Sequence, residues 1–100
     1  MVMLTEEQAR ETLRLMFPDG DKLKLWVYHN SHREFVGPCW HWEDPNDEEE
    51  WGTLTVDRLK TFVQVQQYTE AGDRFRLLGT VTVRAINEQI RRNSDKENQQ

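Results

Sequence analysis

The sequence predicts a small α+β domain in which one N-terminal amphipathic helix packs on a mainly antiparallel sheet of about four to five strands. Three observations predict this class. A capped apolar stripe opens the chain, alternating segments rich in β-branched and aromatic residues follow, and turn signals separate those segments. One hundred residues fill a single domain, which we place at residues 1–92, and a disordered polar tail is expected at residues 93–100.

The overall composition is that of a folded protein. Hydrophobic residues make up 36%, charged residues 31% and aromatic residues 10% of the chain, which is too apolar for a disordered chain and too charged for a membrane protein. Charged side chains interrupt the first twenty positions, so no signal peptide is expected. The single cysteine, Cys39, has no internal partner. A reducing compartment follows most simply, and we expect a cytoplasmic protein.

The net charge of −5 is unevenly distributed along the chain. Residues 1–50 carry a charge of −7, whereas residues 51–92 carry +3. The acidic half argues against a protein that simply coats nucleic acid. The basic remainder leaves nucleic-acid binding open on one face.

The N-terminal helix is the most clearly marked element of the sequence. Thr5 and Gln8 form a capping-box pattern, in which each side chain satisfies a backbone N–H of the other residue. Apolar residues then recur at three- and four-residue steps, at Ala9, Leu13, Met16 and Phe17. Turn residues at 18–20 end the pattern, so we predict a helix over residues 5–17.

Strand signals begin immediately after the helix. Residues 23–28 alternate between apolar residues that should meet the helix and a second set that includes Trp26 and Tyr28. The pair at 30–31 predicts a tight turn into a second strand that begins near Arg33. The Gly-Pro pair at 37–38 predicts a break or a bulge in that strand.

The remaining elements are predicted from turns and composition. Residues 43–50 hold six acids and a proline, which is typical of a solvated loop. Strands are expected at 53–56, 61–69 and 75–83, with a hairpin turn at 70–73. Residues 57–69 also fit a helical pattern, so that alternative stays open. A short helical end is expected at 87–92.

Four potential metal ligands or catalytic groups fall close together, namely His29, His32, Cys39 and His41. Imidazole and thiolate are zinc ligands, and a thiolate beside a base is a nucleophile. If a turn at 30–31 pairs the first two histidines, Cys39 lies about 23 Å further along the strand, too far to share one ion. The cluster binds metal only if residues 29–38 fold back as a loop. We therefore expect neither a cofactor nor an enzyme, and keep a small metal-binding or thiol enzyme as an alternative.

The aromatic and acidic residues suggest a docking surface. Trp26 and Tyr28 should lie on the side of the sheet that one helix leaves uncovered, and Phe62 and Tyr68 are candidates for the same side. A basic segment of a partner protein suits this combination, because acids steer it and rings hold its cations. The proposed anchors are Trp26, Tyr28, Trp40, Trp42 and Trp51, and the proposed acidic rim is Asp47, Glu48, Glu49 and Glu50.

Two further interpretations concern the same sheet. Arg74, Arg76 and Arg84 share a strand face with Leu78, Thr80 and Thr82 if the last strand alternates regularly. Beside the rings they would form an aromatic and basic platform for single-stranded nucleic acid, which the acidic chain makes the less favoured interpretation. A second copy of the chain could also cover an exposed face or edge, giving a homodimer. We predict a protein-binding or inhibitory regulator.

Overall fold

The protein folds as a five-stranded antiparallel sheet with a helix at each end of the chain. The computed structural model describes residues 3–32, 35–68 and 75–98, and the side chains at 29–32, 35–38, 48, 49, 75 and 96–98 lie outside the description. The elements in chain order are α1 (Glu6–Met16), β1 (Lys24–His32), β2 (Phe35–Asp44), β3 (Asp47–Val56), β4 (Phe62–Tyr68), β5 (Phe75–Thr82) and α2 (Val83–Asn98). Neighbouring strands in sequence are neighbours in the sheet. The predicted α+β class is confirmed, and the short helical end expected at 87–92 is part of a longer second helix.

Local hydrogen bonds explain the position of α1. The Thr5 hydroxyl accepts the Gln8 N–H at 3.1 Å, and the Gln8 side-chain oxygen accepts the Thr5 N–H at 3.0 Å. This is the predicted capping box, and it satisfies backbone groups that the first helical turn leaves without partners. Ala9 and Leu13 are fully buried on the face that meets the sheet. The predicted helix at residues 5–17 is therefore confirmed to within one residue at each end.

Both helices lie on the same face of the sheet and enclose the core with it. The indole N–H of Trp40 donates to the Leu4 carbonyl at 2.8 Å, and the rings of Phe17 and Trp42 are 4.9 Å apart. The buried apolar residues come from both helices, from the segments that flank α1, and from the alternate strand positions that face the helices. They are Leu4, Ala9, Leu13, Leu23, Trp42, Leu54, Val63, Val65, Val83 and Ile86.

The β1–β2 hairpin differs from the predicted one. Asn30 pairs with Gly37 and Ser31 with Val36, so the pair at 30–31 lies inside β1 and the chain reverses only after His32. The predicted break at 37–38 is also wrong, because β2 runs through Gly37-Pro38 in unbroken register. Pro38 lacks an amide N–H, yet a two-stranded ladder requires only alternate amides from each strand.

The acidic segment is not a loop as predicted. β2 continues to Asp44, Pro45 and Asn46 form a tight turn, and β3 begins at Asp47. Glu43 pairs with Trp51 while Asp44 pairs with Asp47, so residues 48–50 bulge from the ladder. A bulge increases the local twist and separates neighbouring side chains. The acids are thereby held at a hairpin tip.

The strand alternative for residues 61–69 is the one that the structure adopts. Asp57 Oδ1 accepts the N–H groups of Thr61 and Phe62 at 2.6 and 2.8 Å, and Lys60 has a φ of 54°. A left-handed residue is incompatible with a continuous helix. The hydrogen bond from the Phe62 N–H, together with those of Thr61, holds the pKa of Asp57 below its ordinary value. The predicted hairpin turn at 70–73 lies outside the described residues.

The C-terminal helix is longer than the predicted segment at 87–92. Val83 and Ile86 are buried and Ile90 packs on the core, which gives a stripe at three- and four-residue steps. The Asn93 side chain donates to the Glu11 carboxylate of α1 at 3.2 Å. Residues 93–98, predicted to be a disordered tail, therefore belong to α2.

We expect Gly52→Ala to destabilise the fold by about 3 kcal/mol or more in urea denaturation. A Cβ at Gly52 would collide with the backbone oxygen of Gln66 and come within 2.8 Å of Trp42 Cζ2. Gly79→Ala is the matched control, because there the nearest atom is the flexible Met16 Cε at 2.7 Å. The control should cost less than about 1 kcal/mol. Equal losses would contradict the packing described here.

Candidate protein-binding surface

The face of the sheet opposite the helices, which we call the open face, carries a continuous row of aromatic rings. Cross-strand pairing places Trp26 beside His41, and Trp51 beside Tyr68. Tyr28 lies on the same side of β1 as Trp26, two positions along the strand. We call this set of five side chains the ring row: Trp26, Tyr28, His41, Trp51 and Tyr68.

Each member of the ring row contacts the next across the sheet. The His41 ring lies 4.7 Å from Tyr28, 5.6 Å from Trp26 and 6.1 Å from Trp51, measured between centroids. Trp51 lies 5.0 Å from Tyr68. These separations are within the range of favourable aromatic pairs, each worth about 0.5–1.5 kcal/mol beyond area burial. The row therefore crosses four strands as one packed ladder.

Trp51 is the member of the ring row whose flat faces are turned toward its neighbours. Trp51 is nearly parallel to Tyr68 on one side and to His41 on the other, at interplanar angles of 13° and 19°. Coplanar rings placed side by side would need a larger centroid separation than 5.0 Å, so the Trp51 and Tyr68 planes overlap face to face. Trp51 therefore presents its edge to a ligand.

Large hydrophobic side chains are exposed on the open face. Trp26 is 38% exposed, Tyr28 and Phe62 are each 48% exposed, and Leu77 is 49% exposed. Phe62 and Leu77 lie on this face because they pair with Thr82 and Gln66, which alternate with helix-facing residues. Exposed apolar side chains on one face of a sheet are typical of interaction sites on folded proteins. This placement of Trp26, Tyr28, Phe62 and Tyr68 agrees with the alternation in the sequence.

Acidic residues adjoin the ring row at the β2–β3 hairpin tip, beside Trp51. Glu43 sits between Lys24 and Trp51 in the cross-strand register. Beyond it, Asp47 and Glu50 are exposed at the β2–β3 hairpin tip. The side chains of the other two predicted rim residues, Glu48 and Glu49, lie outside the described residues. Sequence alone places six acids between positions 43 and 50, so this end of the sheet is strongly acidic.

Two of the predicted anchors lie on the wrong side of the sheet for this role. Trp42 is only 1% exposed and packs against Phe17, while the Trp40 indole is hydrogen-bonded to Leu4 under α1. The Trp42 Nε1 atom has no hydrogen-bond partner among the described residues, a cost that buried apolar contact offsets. Both tryptophans therefore serve the core, which corrects their prediction as anchors.

The predicted arginine platform is not assembled. Arg76 pairs in register with Gln67, on the helix side, and its guanidinium donates to the Gln67 side-chain oxygen at 2.8 Å. Arg84 lies in α2 rather than in a strand. Arg74 lies outside the described residues. Arg76 therefore lies on the opposite face of the sheet from the ring row and Arg84 lies outside the sheet, so neither described arginine joins the row.

The backbone that carries the His and Cys residues does not form the loop that folds back, on which the predicted metal cluster depends. His29 pairs with Pro38 and His32 with Phe35, so the backbone at 29–32 and 35–38 is extended and does not fold back. The two histidines are consequently not cross-strand partners, as the predicted turn would have made them. Their side chains lie outside the described residues, and among the side chains that are described no group of three potential ligands comes together.

Cys39 and His41 share the open face but are not electrostatically tuned to react together. Burial raises the pKa of the Cys39 thiol above its ordinary value of 9.0. Burial also lowers the pKa of His41 below its ordinary value of 6.5. A reactive Cys–His pair needs the opposite shifts, toward a thiolate and an imidazolium. His41 is instead a half-buried ring at the centre of the row, and the sequence hides this role because Gly37-Pro38 interrupts the alternation before it.

Comparison with protein-family models, curated proteins and solved structures finds no match to this chain. Neither α1 nor α2 has the length and apolar character needed to cross a lipid bilayer, and no other helix occurs among the described residues. The candidate function therefore rests on the surface geometry given above.

We expect His41 to make the fold less stable as the pH falls below about 6.5. Burial lowers the pKa of His41 in the folded state, so the unfolded chain binds a proton at a higher pH than the folded protein does. Between the two pKa values this protonation favours the unfolded state and lowers the free energy of unfolding. Below the folded pKa both states are protonated and the effect levels off. Urea denaturation of the wild type and of His41→Phe between pH 7.5 and 5 measures the difference.

The comparison isolates His41, because the other two histidines are present in both proteins. His41→Phe keeps a ring in the row while it removes the titrating group. The variant should lose less stability than the wild type over the same interval. An identical pH dependence in both proteins would contradict the burial of His41 in the ring row.

Proposed function

We propose that this protein is a non-enzymatic binding module that docks through the ring row on a basic segment of a partner protein. One observation carries the proposal. Five aromatic side chains form a contiguous ladder on a sheet face without a helix over it, next to a cluster of acids. A domain of this size gains little from leaving such surface exposed unless the surface binds something.

The electrostatic setting favours a basic partner. The whole chain carries a charge of −5, and the acids at 43–50 lie at the β2–β3 hairpin beside Trp51. Lys24, the lysine of β1, is a cross-strand neighbour of Glu43, so the negative charge of Glu43 offsets its positive charge. Complementary charge of this kind accelerates encounter and suppresses binding of acidic partners.

Different parts of the surface have different tasks in this proposal. Trp26 and Tyr28 end the ladder and are its most exposed rings, which suits them to hold arginine or lysine side chains through cation–π contacts. Large aromatic anchors usually account for most of the binding free energy. Exposed acids at an interface rim mainly change the association rate and its salt dependence.

Nucleic acid is the less suitable ligand. Stacking of bases requires open ring faces, and Trp51 has rings on both of its faces. Of the three arginines considered for phosphate contacts, the two described ones lie away from the row. A module that occupies a basic segment would act on its partner as a competitor or regulator, since it masks the charge that the segment offers to other molecules.

We expect Trp26→Ala to weaken binding of a short arginine-rich peptide by about tenfold or more. The substitution removes an exposed ring at the end of the ladder and leaves the core intact. Leu15→Ala is the matched control, because Leu15 is similarly exposed but lies on α1. Titration followed by tryptophan fluorescence or calorimetry measures the effect. A glutamate-rich peptide of equal length should not bind.

Neutralising two rim acids, Asp47→Asn with Glu50→Gln, should slow association about threefold or more at low salt and change dissociation little. The control is Asp19→Asn with Asp95→Asn, which removes two charges from outside the open face. Stopped-flow mixing with the arginine-rich peptide gives both rates. No binding of this peptide by the wild type, or unchanged binding by Trp26→Ala, would overturn the proposed function.

A further inference from the structure

The free edge of β1 has an unusual pattern of exposure. β1 is the first strand of the sheet, paired only with β2 in the described sheet. Three consecutive large residues, Trp26, Val27 and Tyr28, are each at least 38% exposed. Because successive side chains alternate between faces, this edge exposes apolar surface on both sides of the sheet.

Such an edge is a template for pairing with another strand. Proteins usually protect their edges with bulges, prolines or inward-pointing charges. β5, the opposite edge, has a register shift against β4 between Val65 and Gln66, and a bulge of this kind discourages pairing. The register between β1 and β2 is regular over nine consecutive pairs. β1 is therefore the edge that remains suited to strand addition.

We propose that a second copy of this chain adds antiparallel to β1 in a register centred on Val27, which joins two sheets into one across a two-fold axis. In this register Val27 lies opposite Val27 of the second copy, and Trp26 lies opposite Tyr28 of the second copy on the open face. The flanking pairs are Leu25 with His29 and Lys24 with Asn30. No like-charged residues from 24–30 are opposed, as an isologous contact requires.

The ring row supplies the reason that the occupant is the same chain. Its contacts repeat across neighbouring strands at 4.7 to 6.1 Å, and strands in a sheet are spaced at about 4.8 Å. A second β1 would place Tyr28 and Trp26 of the second copy at the same spacing, so the ladder would continue across the two-fold axis. On the helix side, the 42% exposed Val27 would be covered by its own counterpart.

The antiparallel arrangement also suits the charges. The acidic hairpin at 43–50 lies beside the N-terminal end of β1, because Glu43 pairs with Lys24. Reversal of the second strand puts the two acidic hairpins at opposite ends of the joined edge, which limits their repulsion. Most of the open face stays uncovered in this dimer, and the inference goes beyond the proposed docking function and does not depend on it.

Sedimentation of the full chain over a range of concentrations tests the inference. The wild type should reach twice the chain mass in a reversible, concentration-dependent way. Val27→Lys should raise the dimer dissociation constant by about a hundredfold, since two like charges would meet at the two-fold axis. Leu77→Lys, on the opposite edge strand at 49% exposure, should leave the dimer unchanged.

A mixing experiment fixes the register. Val27→Lys and Val27→Glu should each be monomeric alone, and an equimolar mixture should form a heterodimer because opposite charges then face each other at the axis. Circular dichroism and urea denaturation confirm that each variant folds. A wild type that stays monomeric at high concentration, a Val27→Lys dimer as stable as the wild type, or a mixture that fails to associate would each overturn the inference. Binding of the arginine-rich peptide by monomeric Val27→Lys reports on the docking function separately.

Discussion

The contact between Trp42 and its two neighbours holds the sheet and the first helix together. The Trp42 ring packs 4.9 Å from Phe17, which follows α1, and its indole edge lies over Gly52 in β3, where no side chain intervenes. Trp42 is among the largest fully buried side chains. Its inward position fixes the alternation of β2, because every second residue must then point to the other face. His41 is consequently placed on the open face, and the pairing of Glu43 with Trp51 places Trp51 there too.

The consequence is a two-layer molecule in which the tryptophans are divided between the core and the open face. Trp40 and Trp42 join the core under the helices, whereas Trp26 and Trp51 belong to the ring row on the open face. Two helices are enough to cover one face of five strands, and the described chain contains no further helix for the other. The proposed docking surface therefore follows from a sheet face that no described helix covers, and not from any single motif.

Local signals in the sequence predicted much of this architecture. The capping box and apolar stripe defined α1 because their hydrogen bonds and spacing are local. The alternation of residues 23–28 correctly separated Trp26 and Tyr28 from the helix-facing set. The acids at 43–50 were misinterpreted as a loop, because a two-residue turn followed by a bulge leaves no strong mark in composition.

Other features depended on tertiary contacts that the sequence does not display. A Gly-Pro pair normally signals a break in a strand, so the sequence did not indicate which face Trp40 and Trp42 occupy beyond Gly37-Pro38. In the structure β2 keeps its register through this pair, and both tryptophans face the helices. Likewise, α2 extends beyond its apolar stripe, and there Asn93 reaches Glu11 on α1. A polar sequence without apolar residues gives no indication of such a long-range hydrogen bond.

The central claim is that the ring row is exposed and takes part in binding while Trp42 stays in the core. Hydroxyl-radical footprinting with mass spectrometry, with and without the arginine-rich peptide, tests this claim most directly. We expect rapid oxidation of Trp26 and Tyr28 in the free protein, protection of both by the peptide, and slow oxidation of Trp42 throughout. Oxidation of Trp26 as slow as that of Trp42 in the free protein, or a peptide that binds without protecting either ring, would contradict the claim.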